Sequence, residues 1–350
     1  MTVHLVLPGS LDRPTGGTIY DRRIVEGLRA RGATVTVHAL PDRFPLPEAA
    51  DLQTAADLFA ALADDALVVV DGLAFGALPE IVTAHADRLR LVALVHHPLA
   101  METGLEPNAA ELLRAQETIA LRAARRIIVT SPATRESLVR DYAVPPNACH
   151  VVPPGTDPAP AALGSGGAKG GVALLTVGSL IPRKGHDILI EALARLTDRS
   201  WHLTLAGADD HRPATAQALR TLVTARGLSS RVTMTGALTT DALADAYAAA
   251  DVFVLASHYE GYGMVLSEAM ARGLPIVSTT GGAIPDTVPP DAALLAPPGD
   301  VDALTDALRR VLDDPATRAR LREGALAARH ALPDWTVTAD RFAASLEISA

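Results

Sequence analysis

The sequence is short of several residue types, and each shortage narrows what the chain can be. It has one cysteine, Cys149, so no intrachain disulfide can form. Aromatic residues are only 3% of 350, while hydrophobic residues reach 49%, so Ala, Leu and Val must build the core. Of 31 basic residues only two are lysines, Lys169 and Lys184. Positive charge is in deficit overall, with a net charge of −9 and a pI near 5.6. Residues 1–157 carry 14 basic against 19 acidic residues, and residues 158–350 carry 17 against 21. Neither half has the basic footprint of a nucleic-acid binder, and no nucleic-acid partner is expected. Electrostatic attachment to anionic lipid is disfavoured for the same reason. The arginines at Arg22, Arg23, Arg29 and Arg31, and at Arg122, Arg125 and Arg126, read as solvated helix faces. No run of 18 apolar residues exists, so no integral membrane segment is expected. The first residues already read as a strand, without a charged leader, and a cytoplasmic location is the expectation.

What is present is a regular alternation. Val3–Leu7, Val35–Ala39, Ala66–Val70, Leu91–Val95, Arg126–Thr130 and His150–Val152 read as buried strands, with helical patterns between them. Pro8 to Gly17 reads as a loop, followed by a helix over about Thr18–Arg31 that Gly32 stops. The rhythm breaks at residues 153–171, PPGTDPAPAALGSGGAKGG, which read as a linker. It restarts with strands at Val172–Val177, His202–Ala206, Val232–Thr235, Val252–Leu255, Pro275–Ser278 and Ala293–Leu295. Strands alternating with helices imply doubly wound parallel sheets, so the fold class is α/β with two Rossmann-like domains. The expected boundaries are residues 1–157, a linker over 158–171, and 172–334. A last helix over about 335–350, anchored by Trp335, Val337 and Phe342, should pack back on the first domain.

The most informative stretch is Asp251–Arg272. A short apolar strand runs into Ser257-His258-Tyr259-Glu260-Gly261-Tyr262-Gly263, and a helical pattern begins at Met264. Strand, glycine-bearing turn and helix in that order put helix-start amides at the strand's carboxyl end, which suits phosphate. A bound phosphate would lie near the amides of Gly263, Met264 and Val265. Glu260 lies in the turn and Glu268 within the helix, so they can serve different parts of one ligand. Gly178-Ser179-Leu180-Ile181-Pro182-Arg183-Lys184-Gly185 repeats the arrangement after another strand, with two adjacent cations able to neutralise a pyrophosphate. Leu205–Asp209, Thr235-Gly236-Ala237-Leu238 and Thr279–Pro285 also follow strands, and the free backbone near Gly236 and Leu238 suits a base edge. On the first domain Gly16-Gly17 stands after the first strand at a helix start, and His96-His97 follows a strand. A metal site would need a third ligand, and neither His38, His85 nor His150 stands at a sensible spacing, so no metal is expected.

In combination these segments resemble the retaining glycosyltransferases of family 4. Glu260 to Glu268 resembles the family's Glu-x7-Glu signature, and Gly178–Gly185 its phosphate-binding segment. Thr280–Asp286, Pro153–Asp157 and Gly16-Gly17 resemble its further motifs. The resemblance implies a GT-B fold, two Rossmann-like domains facing across a cleft, with a UDP- or GDP-linked sugar mostly on the second. Glu268 would hold the ribose, Glu260 the transferred sugar and Lys184 with Arg183 the diphosphate, aided by backbone around Gly261, Tyr262, Gly263, Met264 and Val265. Gly16 and Gly17 would let the first loop close over the phosphates. His97 or His96 would sit at the reacting sugar from the acceptor side, with His97 counted beside Glu260, Lys184 and Arg183 as catalytic, and the acceptor would be a small-molecule, glycan or glycolipid hydroxyl. No cofactor is implied beyond the donor, and no divalent metal is obligatory. Ser179 departs from the pattern, since the family often has arginine there. A phosphorylase or sugar synthase on the same fold, a nucleotide-sugar epimerase, and a non-catalytic nucleotide-sugar binder are the alternatives.

Overall fold

The computed structural model describes residues 2–167, 170–208 and 213–347. The chain divides into two compact units, Met1–Gly155 with Pro333–Ala350, and Thr156–Leu332. Among the described residues no helix is long and apolar enough to cross a membrane.

In the first unit the order is β1 (Thr2–Pro8), α1 (Gly16–Ala30), β2 (Thr34–Leu40), α2 (Ala49–Ala61), β3 (Leu67–Asp71), α3 (Gly72–Phe75) and α4 (Pro79–His85). Then come β4 (Arg90–Val95), α5 (Pro107–Ala123), β5 (Arg126–Val129), α6 (Pro132–Asp141) and β6 (Cys149–Val151). The strands form one parallel sheet in the order β2-β1-β3-β4-β5-β6. Apolar clusters cover both faces, one built on Val68, Val70 and Phe59 and one on Leu5, Val69 and Ile24. Burial on both sides is why β3 is buried at every position, Leu67–Asp71, rather than alternating. The chain turns back at β1, so the strand order reverses between β1 and β3.

In the second unit β7 (Val172–Val177), α7 (His186–Ala194), β8 (Trp201–Ala206), α8 (Pro213–Ala225), β9 (Val232–Gly236) and α9 (Thr240–Ala248) come first. They are followed by β10 (Val252–Val254), α10 (Met264–Ala271), β11 (Ile276–Thr279), α11 (Ile284–Thr287), β12 (Ala293–Ala296), α12 (Val301–Asp313) and α13 (Pro315–Ala328). The parallel order is β12-β11-β10-β7-β8-β9, and it reverses between β7 and β10. A final helix, α14 (Trp335–Ser345), belongs to the first unit and lies on α1. Gly27 permits that approach, since a Cβ there would lie 2.4 Å from the Ala339 Cβ. Arg31 donates to Asp340 across the same contact at 2.7 Å.

Two local differences from the sequence reading have clear causes. Gly16 and Gly17 are not loop residues but the first turn of α1, because Thr15 caps the helix and accepts from the Thr18 amide. Residues 158–167 are not a free tether. The Ala162 amide donates to Arg272 at 2.8 Å, the Leu163 amide to Ala248 at 2.9 Å, and Ser165 is held by Asp251. Their composition signals a linker, but Ala162 is buried in an apolar cluster of the second unit. Lys169 of that stretch, Asp209 of the loop after β8, and the last residues of the 335–350 expectation lie outside the described residues.

Candidate active site

Two loops leave the second sheet side by side at its reversal point, which is where open α/β sheets place their ligands. After β7 the chain runs through Gly178 to Gly185, and after β10 through Leu255 to Gly263. Gly185 joins them. Its φ is +60°, and a Cβ there would lie 2.1 Å from the Ala256 carbonyl oxygen. The His258 amide donates to the Arg183 carbonyl at 2.8 Å, and Arg183 Nη1 donates to the Tyr259 carbonyl at 2.8 Å. These bonds aim both cations at Glu260. Lys184 Nζ lies 2.7 Å and Ser257 Oγ 2.5 Å from Glu260 Oε1, and Arg183 Nη1 lies 3.5 Å from Oε2. Glu260 is 5% exposed. Burial drives its carboxyl up, but Lys184, then Arg183, outweigh that and hold it down at about 2. One carboxylate against two cations leaves net positive charge at the loop junction.

From the other side Glu260 pairs in a parallel bridge with Gly282, and its carbonyl accepts from the Ala283 amide at 2.8 Å. A Cβ at Gly282 would lie 2.3 Å from that carbonyl, so these glycines make room for protein backbone. Gly261, Tyr262 and Gly263 complete the turn, with the Tyr262 carbonyl accepting from Thr287 Oγ1 at 2.6 Å. Gly263, at φ +89°, opens α10 without a side-chain cap. Among the described residues the amides of Met264 and Val265 have no hydrogen-bond partner, as expected of a helix start. Ser179 is positioned by His186, whose ring nitrogen lies 3.2 Å from the Ser179 carbonyl. Burial lowers the His186 pKa to about 4, so the neutral ring donates. Gly236 ends β9 at φ +71° and Leu238 follows it half-buried, two strands from β7 in the sheet.

Glu268, within α10, is half-buried. The Tyr247 hydroxyl donates to its Oε2 at 2.9 Å. Arg272 donates to the Glu268 carbonyl at 3.0 Å and lies 4.4 Å over the Tyr247 ring. Burial pushes the Glu268 carboxyl up, while Tyr247 and Arg272 pull it back.

The first unit has its own cluster, at the carboxyl ends of β3 and β4. His96 Nε2 lies 3.1 Å from Asp21 Oδ1 and 3.4 Å from Asp71 Oδ2. Asp21 is fully buried and Asp71 nearly so. Burial alone would lower the His96 pKa, but Asp21 and then Asp71 reverse it and raise it to about 10. Gly17 packs on this ring, since a Cβ there would lie 3.2 Å from His96 Cδ2. His97 Nε2 instead faces Glu102 Oε2 at 3.4 Å. The expectation of no metal rested on the want of a third ligand, and here the fold gathers two carboxylates and an imidazole within 4.8 Å. Both carboxylates face Nε2 and favour a protonated ring, so we read the group as an ion pair.

Comparison with known proteins places this architecture. A family model described as Glycosyltransferase Family 4 matches residues 14–160, and one described as Glycosyl transferases group 1 matches residues 165–327. The chain belongs to glycosyltransferase family 4. It is 34% identical over 245 residues to the MMP alpha-(1->4)-mannosyltransferase of Mycolicibacterium hassiacum, covering 66% of this chain and 58% of that one. It is 33% identical over 275 residues to a D-inositol 3-phosphate glycosyltransferase of Kineococcus radiotolerans, covering 71% and 62%. The chain thus spans about three-fifths of the length of these curated relatives. Sucrose-phosphate synthase from Thermosynechococcus elongatus superposes with a TM-score of 0.80 at 25% identity, covering 97% of each chain. The two six-stranded parallel units are the GT-B fold.

Within this family-4 chain the structure gathers Arg183, Lys184, Glu260, Gly261, Tyr262, Gly263, Met264 and Val265 at one loop junction. It parts His96 from His97, which have different carboxylate partners. Sequence reading missed Ser257, His186, Tyr247, Asp21 and Asp71. Ser257 was legible, three residues before Glu260 in the same turn. His186 was also near at hand, seven residues after Ser179, while Tyr247, Asp21 and Asp71 had no local signal, since Tyr247 is 21 residues from Glu268 and Asp21 is 75 from His96.

Proposed function

We propose that the protein is a retaining hexosyltransferase, moving a sugar from a UDP- or GDP-linked donor to a hydroxyl of a small molecule, glycan or glycolipid without a divalent metal. The observation that carries this reading is the cluster of Glu260 with Lys184 and Arg183 beside the open helix-start amides of Met264 and Val265. Lys184, Arg183 and those amides stabilise the negative charge that develops on the leaving diphosphate, which removes the need for a metal. Glu260 stays ionised and accepts hydrogen bonds from hydroxyls of the transferred sugar. Its oxygens are already engaged by two cations and Ser257, which disfavours it as a covalent nucleophile. Glu268 has Oε2 tied to Tyr247 and offers its other oxygen to the ribose. Gly236 and Leu238 offer backbone to the base. His96 and His97 take the acceptor side, and Gly17 keeps α1 close to His96. The acceptor hydroxyl attacks from the face of the departing diphosphate and loses its proton to a diphosphate oxygen, so the anomeric configuration is kept. The names of the relatives, a mannosyltransferase and an inositol phosphate glycosyltransferase, agree with this class.

The test is a thermal-shift screen of UDP, GDP and their sugars, followed by mass spectrometry with candidate acceptors. Stabilisation by a nucleoside diphosphate and an acceptor one hexose heavier are expected. Disaccharide breakdown that requires free phosphate would instead assign a phosphorylase.

A further inference from the structure

We infer that Asp21 and Asp71 are positioning residues that hold His96 as an imidazolium, leaving its Nδ1–H as a fixed cationic donor to an oxygen of the substrate on the first unit. This rests on the glycosyltransferase reading above. The geometry begins with Nε2, which faces two buried carboxylates on different elements, Asp21 on α1 and Asp71 at the end of β3. Asp71 Oδ1 is already occupied by the Leu73 amide at 2.8 Å, and Asp21 Oδ2 is fully buried with no partner among the described residues. Two carboxylates this dry need a compensating positive charge nearby, and a protonated ring supplies it. Tyr20 meets the ring edge-on at 5.4 Å between centroids, and burial keeps its phenol protonated, so it adds no charge. From the loop itself His97 is turned to Glu102.

The His96 side chain keeps 18% of its surface, and among the described residues Nδ1 has no hydrogen-bond partner. Gly17 lets α1 approach the Nε2 side of the ring, since a Cβ there would lie 3.2 Å from Cδ2 and 3.4 Å from Nε2. An imidazolium donates from both nitrogens, whereas a neutral ring can donate from only one. With Nε2 committed to the carboxylates, a charged ring is what makes Nδ1 a donor. The ligand atom it suits is a hydroxyl, carboxylate or phosphate oxygen.

The experiment is a nitrogen-15 NMR titration of the His96 imidazole in the full-length protein between pH 5 and 9. Protonation of both ring nitrogens to beyond pH 8.5 is expected, against an ordinary histidine value of about 6.5. Asp21→Asn, checked by circular dichroism, should lower the titration by at least one pH unit. If that variant does not fold, Asp71→Asn serves, because asparagine can still cap α3. A wild-type ring that is neutral at pH 7.5 overturns the proposal. The second arm is the transfer rate against pH. The wild type should show no His96 limb between pH 6 and 8.5, and the Asp21 variant should gain one, with the rate falling as pH rises. If the protein transfers no sugar the functional reading fails, while the NMR result still decides the state of His96.

Discussion

Glu260 is nearly dry and held by two cations, so its charge contributes to stability as well as to the site. Its folded pKa, about 2, lies below the ordinary value of 4.5. A depressed carboxylate stabilises the fold above its unfolded pKa and loses that contribution as pH falls through the folded one. The window is therefore roughly pH 4.5 down to 2, and the shift corresponds to about 3 kcal/mol. Urea denaturation at pH 5 and pH 2.5 should show this loss in the wild type and not in Glu260→Gln. Identical pH dependence in both proteins would mean that the ion cluster is not a stability determinant. Lys184 carries the matching functional prediction. Lys184→Ala removes a charge-assisted contact worth about 1.5–3 kcal/mol, so nucleoside diphosphate should bind roughly 10- to 100-fold more weakly. Calorimetry on the folded variant checks it, and unchanged affinity would remove Lys184 from the donor site.

The loops after β7 and β10 act as one piece because Gly185 lets them touch. Alanine at that position meets the left-handed backbone, φ +60°, and a carbonyl oxygen 2.1 Å from its Cβ. The backbone penalty alone is about 1 kcal/mol, and relief of the clash must separate the loops or displace β10. Gly185→Ala is expected to cost more than about 2 kcal/mol in urea melts. It should also weaken nucleoside diphosphate binding, since the Arg183–Tyr259 and Lys184–Glu260 contacts depend on that junction. A variant with wild-type stability and affinity would show that the junction tolerates separation. Gly32 makes a useful control, because its φ is also positive but a Cβ there meets nothing within 4 Å.

Taken as a whole, the molecule is two doubly wound units of one family, and its overall reaction carries the last prediction. A donor with an α-linked sugar should yield an α-linked product, and should do so with excess chelator present. An inverting enzyme needs a general base on the face opposite the leaving group. His96 is committed to Asp21 and Asp71, which leaves His97, paired with Glu102, as the histidine to test for that role. Proton NMR of the first-formed product reads the anomeric configuration. A β-linked product would reassign His97 as base, and activity lost to chelator but restored by manganese would overturn the metal-free account.

The alternation of apolar strands and helices, the glycine-bearing turns after β7 and β10, and Arg183, Lys184 and Glu260 as separate candidates within those turns were legible along the chain, whereas the contact of Lys184 with Glu260 spans 76 residues and was not. The legible features are local patterns, set by side-chain period and by the backbone freedom of glycine. The same locality explains where the reading went astray at Gly16-Gly17, because only the Thr15–Thr18 cap draws those glycines into α1. It also explains residues 158–167, whose composition signals a tether but whose amides bond to Arg272 and Ala248. Tyr247 beside Glu268, and Asp21 and Asp71 around His96, belong to the tertiary structure alone. Strand order decides them, since a reversal between β1 and β3, or between β7 and β10, brings together the ends of strands that the sequence keeps tens of residues apart.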